Sequence, residues 1–385
     1  YLPKEGTLKI PGEKRFLEIK RGEALFLRAR HYFYHMNTYG AVPLINSFND
    51  AERFPKNSTI SEIYAQIIAD LSEAETLLPG WKDSENEPGR ATRGAAKSLL
   101  GRVYLTKATS EAAASDDYQK ASSKLKEVID NEGYDLWENY KDAFIPENEN
   151  GKEDIHSYQC QPETNPSSIY IESVPNPNPA GSTDGYIQML CSQLLFDSFE
   201  EGDKRKEDGW WEDGSNGLMF TGDYTVRTTG EEKHANYICH EKFYDPVNTP
   251  LNVNNSGANF PLIRYADVLL MYAEALNEVN NGPNDQVYWA INKVRARAGL
   301  DPLSGLSKES FFDALVDERF HELWFEGIRW FDLKRWGMLK ERVLMREHIT
   351  GFPDIIPIET PKHLVFPYPL SEIQVNENLI QNAGY

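Results

Sequence analysis

The chain has 385 residues, enough for two or three domains or one large helical assembly, and its 40% hydrophobic content supports a sizeable core without disulfides. Its 60 acidic and 40 basic residues give a formal charge of −20, which argues against nucleic-acid backbones as partners, since their affinity rests on clustered Lys and Arg. No apolar run reaches membrane-spanning length, no signal peptide opens the chain, and the start at Tyr1-Leu2-Pro3 without an initiator Met suits a processed or truncated form.

Aromatic residues are plentiful, with 20 Tyr and 8 Trp. Flat apolar ring faces beside a few polar groups are what neutral sugars need, although core and surface packing accounts for most such residues. Cys160, Cys191 and Cys239 form an odd set without metal spacing, so neither a disulfide framework nor a zinc site is indicated.

In chain order, Lys14 to Tyr39 reads as a helix, with Phe16, Ile19, Ala24, Leu27, Arg28 and His31 at spacings of three and four, ended by Gly40 and Pro43. His31 and His35 lie one turn apart, the spacing of a metal pair, but no carboxylate completes a set and packing or surface roles are expected. A second helix runs from Thr59 to Leu78 on an Ile60, Ile63, Tyr64, Ile67, Ile68, Leu71 stripe. Pro79-Gly80-Trp81 then opens a polar loop, where Trp81 either plugs a groove or faces a ligand. Thr92 caps ATRGAAKSLLGRVYLTKA, and another helix spans Asp117 to Asn131.

An internal similarity appears here. Ala96-Lys97-Ser98-Leu99-Leu100 recurs as Ala266-Asp267-Val268-Leu269-Leu270, and each is followed by a small residue in a second helix, Ala121 and Ala290. Leu100-Gly101-x-x-Tyr104 matches the first-helix signature of a tetratricopeptide repeat, where small residues let paired helices approach closely. The expectation is a mostly α protein, a right-handed scaffold of tetratricopeptide-like helix pairs.

Between residues 141 and 260 helical periodicity disappears. A structureless insert of that length is improbable, so turns and short strands packed on the scaffold are expected. Loops held on a rigid frame commonly carry binding function. Trp210 and Trp211 flanked by acids, with Tyr186, Phe220 and Tyr224, are the aromatic candidates, and stitching the insert to the scaffold is the competing role. The acidic IPENENGKED stretch fits no EF-hand spacing, and solvated charge is the expectation there.

Helical order returns at Arg264. RYADVLLMYAEALNEVN places Tyr265, Val268, Leu269, Tyr272, Leu276 and Val279 on one face, Asn281-Gly282-Pro283 turns, and DQVYWAINKVRARAGL supplies the partner helix. In ERFHELWFEGIRWFDLKRWG, six aromatics stand among eight charged residues. The pattern reads as two helices meeting at a corner at Gly327 with aromatics buried between them, Arg319 pairing with Glu322 and Asp332 with Arg335. His321-Glu322 looks like half of HExxH, but Phe325 stands where the second His is required, so packing is expected. The tail through Pro367 and Pro369 reads as extended, lying along the scaffold.

Together GEALFLRARHYFYHMNTYGAVPLI, ATRGAAKSLLGRVYLTKA, FEEGDKRKEDG, RYADVLLMYAEALNEVN, VRARAGL, ERFHELWFEGIRWFDLKRWG and PYPLSEIQVNENLIQNAGY resemble, in order, the SusD/RagB family of outer-membrane nutrient-binding lipoproteins of Bacteroidetes. The resemblance runs from about Glu13 to Tyr385. It implies one SusD-like unit with an N-terminal helical scaffold (1–140), an irregular ligand-binding insert (141–260) and a C-terminal helical scaffold and tail (261–385). It also implies a non-catalytic role at the cell surface, capturing an oligosaccharide, or in some members a peptide, for a SusC-like TonB-dependent transporter. Neither a cofactor nor a metal belongs to that role. Family members carry a lipid anchor on an N-terminal Cys. This chain shows neither that Cys, nor a leader, nor the helical segment that usually precedes the GEALFLRA stretch, so anchoring rests on the resemblance, and part of the ligand site can lie outside this chain.

The resemblance does not place ligand contacts residue by residue. From the residues themselves, Trp210, Trp211, Tyr186 and Trp81 are the stacking candidates and Asp213 and Asn216 the hydrogen-bonding ones. A glycoside hydrolase is the enzyme reading, since two carboxylates suffice, but pairs arise by chance among so many acids and no catalytic frame, Walker loop or GxSxG elbow is present. A helical-repeat adaptor with no small ligand is the third.

Overall fold

The structure, a computed structural model, describes residues 12–47, 52–167, 189, 191–206, 219–228, 231–245, 247–248, 254–345, 358–359 and 362–385, without the side chains of 219–237. In chain order these form α1 (Glu13–Tyr39), α2 (Ile60–Leu77), α3 (Arg93–Lys107), α4 (Asp117–Asn131), β1 (Asp154–Tyr158), α5 (Gln193–Ser198), β2 (Met219–Thr228), β3 (Glu231–His240), β4 (Phe260–Arg264), α6 (Tyr265–Val279), α7 (Asp285–Arg297), α8 (Lys308–Glu322), α9 (Arg329–Arg335), α10 (Leu339–Leu344) and α11 (Leu370–Val375).

Local signals set these boundaries. Gly40, at φ 76°, closes α1 by donating its N–H to the Met36 carbonyl. Thr59 and Glu62 form a reciprocal capping box at the start of α2, and the Thr92 hydroxyl accepts from the Ala95 amide at 3.1 Å to start α3. Asn284 and Ser307 do the same for α7 and α8.

One compact unit holds α1–α4, most of α9, α10 and the C-terminal tail; a second holds α5–α8 and the four strands. In the first, α1 packs on α2, α2 on α3 and α3 on α4. The approach of α3 to α4 is as close as the small-residue signature requires, because a Cβ on Gly101 would lie 2.6 Å from Leu125 Cγ. Leu125 is fully buried and cannot swing aside. Gly101→Ala is therefore expected to cost about 1–3 kcal/mol by overpacking, read as a lowered denaturant midpoint; an unchanged midpoint would mean the two helices can slide apart freely.

The tail packs within this first unit as expected. The Phe366 amide donates to the Thr38 carbonyl at 2.7 Å and Asn382 Nδ2 to the Tyr39 carbonyl at 2.8 Å. Asn376 and Asn378 donate to the Pro55 and Phe54 carbonyls, and Asn57 accepts from the Ile380 amide. After Pro369 the chain makes the short helix α11 where only a turn was anticipated.

In the second unit the repeat returns as the α6/α7 pair, with Ala290 fully buried at their contact and α8 packed on α6. The one-faced reading of α6 needs correcting. Nearly every residue from Tyr265 to Ala275 is buried, whereas Val279 is exposed. The insert carries the anticipated short strands: β1 pairs antiparallel with β4, Asp154 opposite Arg264, and β2 with β3, Met219 opposite His240.

The aromatic corner differs from expectation. Gly327, at φ 74°, does separate α8 from α9. The aromatics on its two sides belong to different units. Trp324 enters the second unit's core with Tyr140, Phe144, Phe199 and Phe243. Trp330 and Phe331 belong to the first unit, where Phe331 meets Tyr34 edge-on at 6.0 Å and Trp330 meets Phe366 at 6.3 Å.

Candidate functional site

Charged residues of the second unit build its centre, among them Glu322, which the sequence pattern pairs with Arg319. Glu318, Glu322 and Glu326 stand four apart at the end of α8 and just beyond it, and all three are buried. Arg205 Nη1 donates to Glu318 at 2.7 Å and Glu322 at 3.2 Å, while Asp203 takes its other side at 2.7 Å. Arg264 reaches Glu326 at 2.7 and 2.8 Å, Glu153 at 2.5 Å and Glu322 at 3.0 Å. Arg297 spans Glu153 and Glu322. Lys242, fully buried, donates to Glu326 at 2.8 Å, the Trp324 carbonyl at 2.6 Å and Tyr140 Oη at 2.9 Å.

The pairing anticipated along α8 is thus corrected. Glu322 does not serve Arg319, which donates to Asp267 at 2.8 Å; the Asp332–Arg335 pair does form, at 2.9 Å. Burial would raise the Glu322 carboxyl, but the Arg297, Arg264 and Arg205 guanidiniums override it and hold it at about 2. Burial lowers the Lys242 ammonium to about 8 despite the opposing Glu326.

This network fixes the insert. Glu153 stands at its start, Asp203 and Arg205 in its middle, Lys242 just after β3, and Arg264 at its end. Two of the recognised motifs, FEEGDKRKEDG and VRARAGL, supply Asp203 and Arg205, then Arg295 and Arg297, and Arg295 pairs with Glu200 at 2.6 Å. A signal was available in the sequence: carboxylates at Glu318, Glu322 and Glu326, four apart and so on one face of a helix that continues an apolar pattern.

Of the ligand candidates, Trp210, Trp211, Tyr186, Asp213 and Asn216 lie outside the described residues. Phe220 and Tyr224 fall on β2, their side chains outside the described set. Trp81 is half-buried in the turn after α2. Lys82 Nζ lies 5.1 Å from its ring centroid, and Asn86 Nδ2 donates to its carbonyl at 3.0 Å. Its loop is stiff, since Gly80 N–H donates to Asp83 at 2.7 Å and Arg93 N–H to the Pro79 carbonyl at 2.7 Å.

The first unit presents two neighbouring concavities on either side of the chain after α1. A groove of about 460 Å³ is lined by Leu27, Arg28, His31, Tyr32, His35 and Pro43 among others. A smaller one, about 270 Å³, lies between Leu44 and Ser58. Tyr32 Oη staples the segment between them, accepting from the Ile45 amide at 2.7 Å.

His31 and His35 are exposed, His31 Nδ1 bonding the Leu27 carbonyl at 2.7 Å and His35 stacking on Tyr39. His321 packs on Phe199 at 4.5 Å and bonds Ser198, and burial lowers its imidazole to about 3. Among the described residues no group of three or more His, Cys, Asp or Glu is arranged to hold a metal. Solvated charge is the wrong description of the IPENENGKED stretch. Glu153 is buried in the network, and Glu149 accepts from the Asn259 amide at 2.6 Å while burial pushes its carboxyl up to about 7. No helix among the described residues is long and apolar enough to cross a membrane.

A sequence profile described as the SusD family matches residues 104–385. The chain belongs to the SusD family. A second profile, described as "Starch-binding associating with outer membrane", matches residues 11–105 of this SusD-family chain. It is similar to SusD-like protein P2 of Formosa agariphila, with 28% identity over 94% of this chain and 73% of that protein. Among solved structures, a SusD superfamily protein from Parabacteroides distasonis aligns with TM-score 0.83 and 29% identity, covering 100% of this chain and 81% of that one. A laminarin-binding SusD-like protein aligns with TM-score 0.76 and 27% identity over 98% and 81%.

Proposed function

We propose that this SusD-family chain is a non-catalytic binding protein of the outer membrane that captures oligosaccharide at the cell surface and passes it to a SusC-like TonB-dependent transporter. The observation that carries the reading is the likeness to a laminarin-binding SusD-like protein over 98% of this chain. The description of the profile matching residues 11–105 supports both the glycan and the membrane. The chemistry agrees: an ion network clamps an insert rich in tryptophan and tyrosine to a helical frame, which suits a fixed ligand surface better than a moving catalytic one.

Within the insert we assign stacking to Trp210, Trp211 and Tyr186 and hydrogen bonding to Asp213 and Asn216, with Trp81 as a separate aromatic of the first unit. Native affinity electrophoresis against laminarin, amylopectin and galactomannan tests the reading. Retardation by one polymer is expected, with loss of most of it in the Trp210→Ala/Trp211→Ala double variant. Unchanged retardation in that variant would remove the two tryptophans from the site. New reducing ends in the same incubations would replace the binder with a hydrolase, and binding of peptides alone would replace the glycan.

A further inference from the structure

Trp289 is out of place for a structural tryptophan. It stands on α7 opposite the buried Val287, Ala290, Ile291 and Val294, and it is 45% exposed. Large aromatics are mostly well covered, so an exposed one is the informative case. One turn on, Lys293 Nζ lies 5.7 Å from its ring centroid and 2.7 Å from Asp135 Oδ1.

Asp135 brings a second tryptophan into the neighbourhood. Its amide donates to the Lys152 carbonyl at 2.8 Å, and Lys152 Nζ lies 4.7 Å from the Trp137 ring centroid. Trp137 is half-buried and rigidly held. Its amide donates to Glu153 at 2.8 Å, and Glu153 is gripped by Arg264 and Arg297. Gly151 passes so near that a Cβ there would meet Trp137 Cζ2 at 3.1 Å. The Oδ1 atom of Asp135 is engaged by Lys293 and by the Leu136 amide at 2.9 Å, and the carboxylate is 56% exposed, open to a further donor.

We propose that Trp289 and Trp137, with Asp135 and Lys293, form a second glycan-binding surface, separate from the insert aromatics; this rests on the chain being a glycan binder. The two indoles offer flat apolar faces for the C–H side of sugar rings, and the balanced Asp135–Lys293 pair offers an acceptor and a donor to neighbouring hydroxyls. A neutral glycan is the class that fits. The Asp135–Lys293 pair carries no net charge, Lys152 beside Trp137 adds a single positive one, and the chain's formal charge of −20 repels polyanions. Trp289 and Lys293 sit on α7, and Asp135 and Trp137 on a hydrogen-bonded segment, so the surface needs little ordering when a ligand arrives.

The alternative is that Lys293 merely shields Trp289, as helix neighbours four apart often do. Affinity electrophoresis of the full chain in laminarin, amylopectin and galactomannan gels separates the two, with Trp289→Ala, Trp137→Ala and Asp135→Asn beside the Trp210→Ala/Trp211→Ala variant. Trp289→Ala is expected to weaken binding to the retained polymer roughly 3- to 10-fold. Its thermal midpoint should stay near that of the wild type, because the ring is substantially exposed. Asp135→Asn, which keeps the fold and the bond from Leu136, is expected to weaken binding as well. If the wild type is retarded and Trp289→Ala and Asp135→Asn migrate as it does, this surface is refuted while the glycan reading survives. If no polymer retards the wild type, both fall. Loss in Trp289→Ala with none in the insert variant upholds this surface and removes the insert tryptophans.

Discussion

Arg264→Ala is expected to lower unfolding free energy by about 3–5 kcal/mol, measured by guanidinium denaturation. The change strips hydrogen bonds from Glu153, Glu322 and Glu326 together and leaves three buried carboxylates with fewer cations. The large number reflects orphaned charge more than lost attraction, since a buried ion pair only about balances its desolvation while a broken one does not. Arg264→Lys, which keeps the charge but not the planar fork, should fall between the variant and the wild type. Lys126→Ala is the control: its partner Asp130 is 46% exposed, and removing so wet a pair should cost well under 1 kcal/mol. Equal losses in Arg264→Ala and Lys126→Ala would show that the network is decoration.

Acid titration gives the second large effect. Glu322 has its carboxyl held at about 2, below the ordinary 4.5, so the folded state releases this proton more readily than the unfolded chain does. Its contribution is therefore fully present above about pH 4.5 and is lost as pH falls toward 2, a difference on the order of 3 kcal/mol. In Glu322→Gln the stability lost between pH 5 and pH 2 should be smaller than in the wild type, although the variant is less stable at neutral pH. Lys242 acts in another window. Its lowered value means that stability rises with pH between about 8 and the ordinary 10.5. Parallel acid curves for wild type and Glu322→Gln would contradict the assignment.

The helices were legible because their signals are local. Thr59, Thr92 and Gly40 mark ends by chemistry that needs no distant partner, and the recurrence of Ala96–Leu100 at Ala266–Leu270 disclosed the two helix pairs. The tail's course was also readable up to Pro369, since Pro367 and Pro369 favour extended backbone, although the chain turns helical directly afterwards. What escaped were features set by distance in space. Glu322 looked like a partner for Arg319 three residues earlier, yet its real partners are 58, 25 and 117 residues away, at Arg264, Arg297 and Arg205. The corner shows a similar limit: periodicity says which face of a helix is apolar but not which core it enters, and Trp324 enters the core built by Tyr140, Phe144 and Phe243. Trp289 passed unnoticed because a tryptophan among Val287, Ala290 and Ile291 reads as core. Its exposure follows from helical phase against a partner that the sequence alone does not supply.

The stitching of the tail to the first unit sets an order of events during synthesis. Asn57 accepts from Ile380, 323 residues further along the chain. At about 5–20 residues per second a ribosome needs roughly 15–65 s to cover that span. For the length of that interval the end of α1 and the Phe54–Asn57 segment lack that covering, and Gly133–Arg329, the bulk of the second unit, emerges before it arrives. The second unit can thus mature before the first, whose covering segment of residues 366–382 is made later. That covering acts as a clasp, closing on a segment made 323 residues earlier.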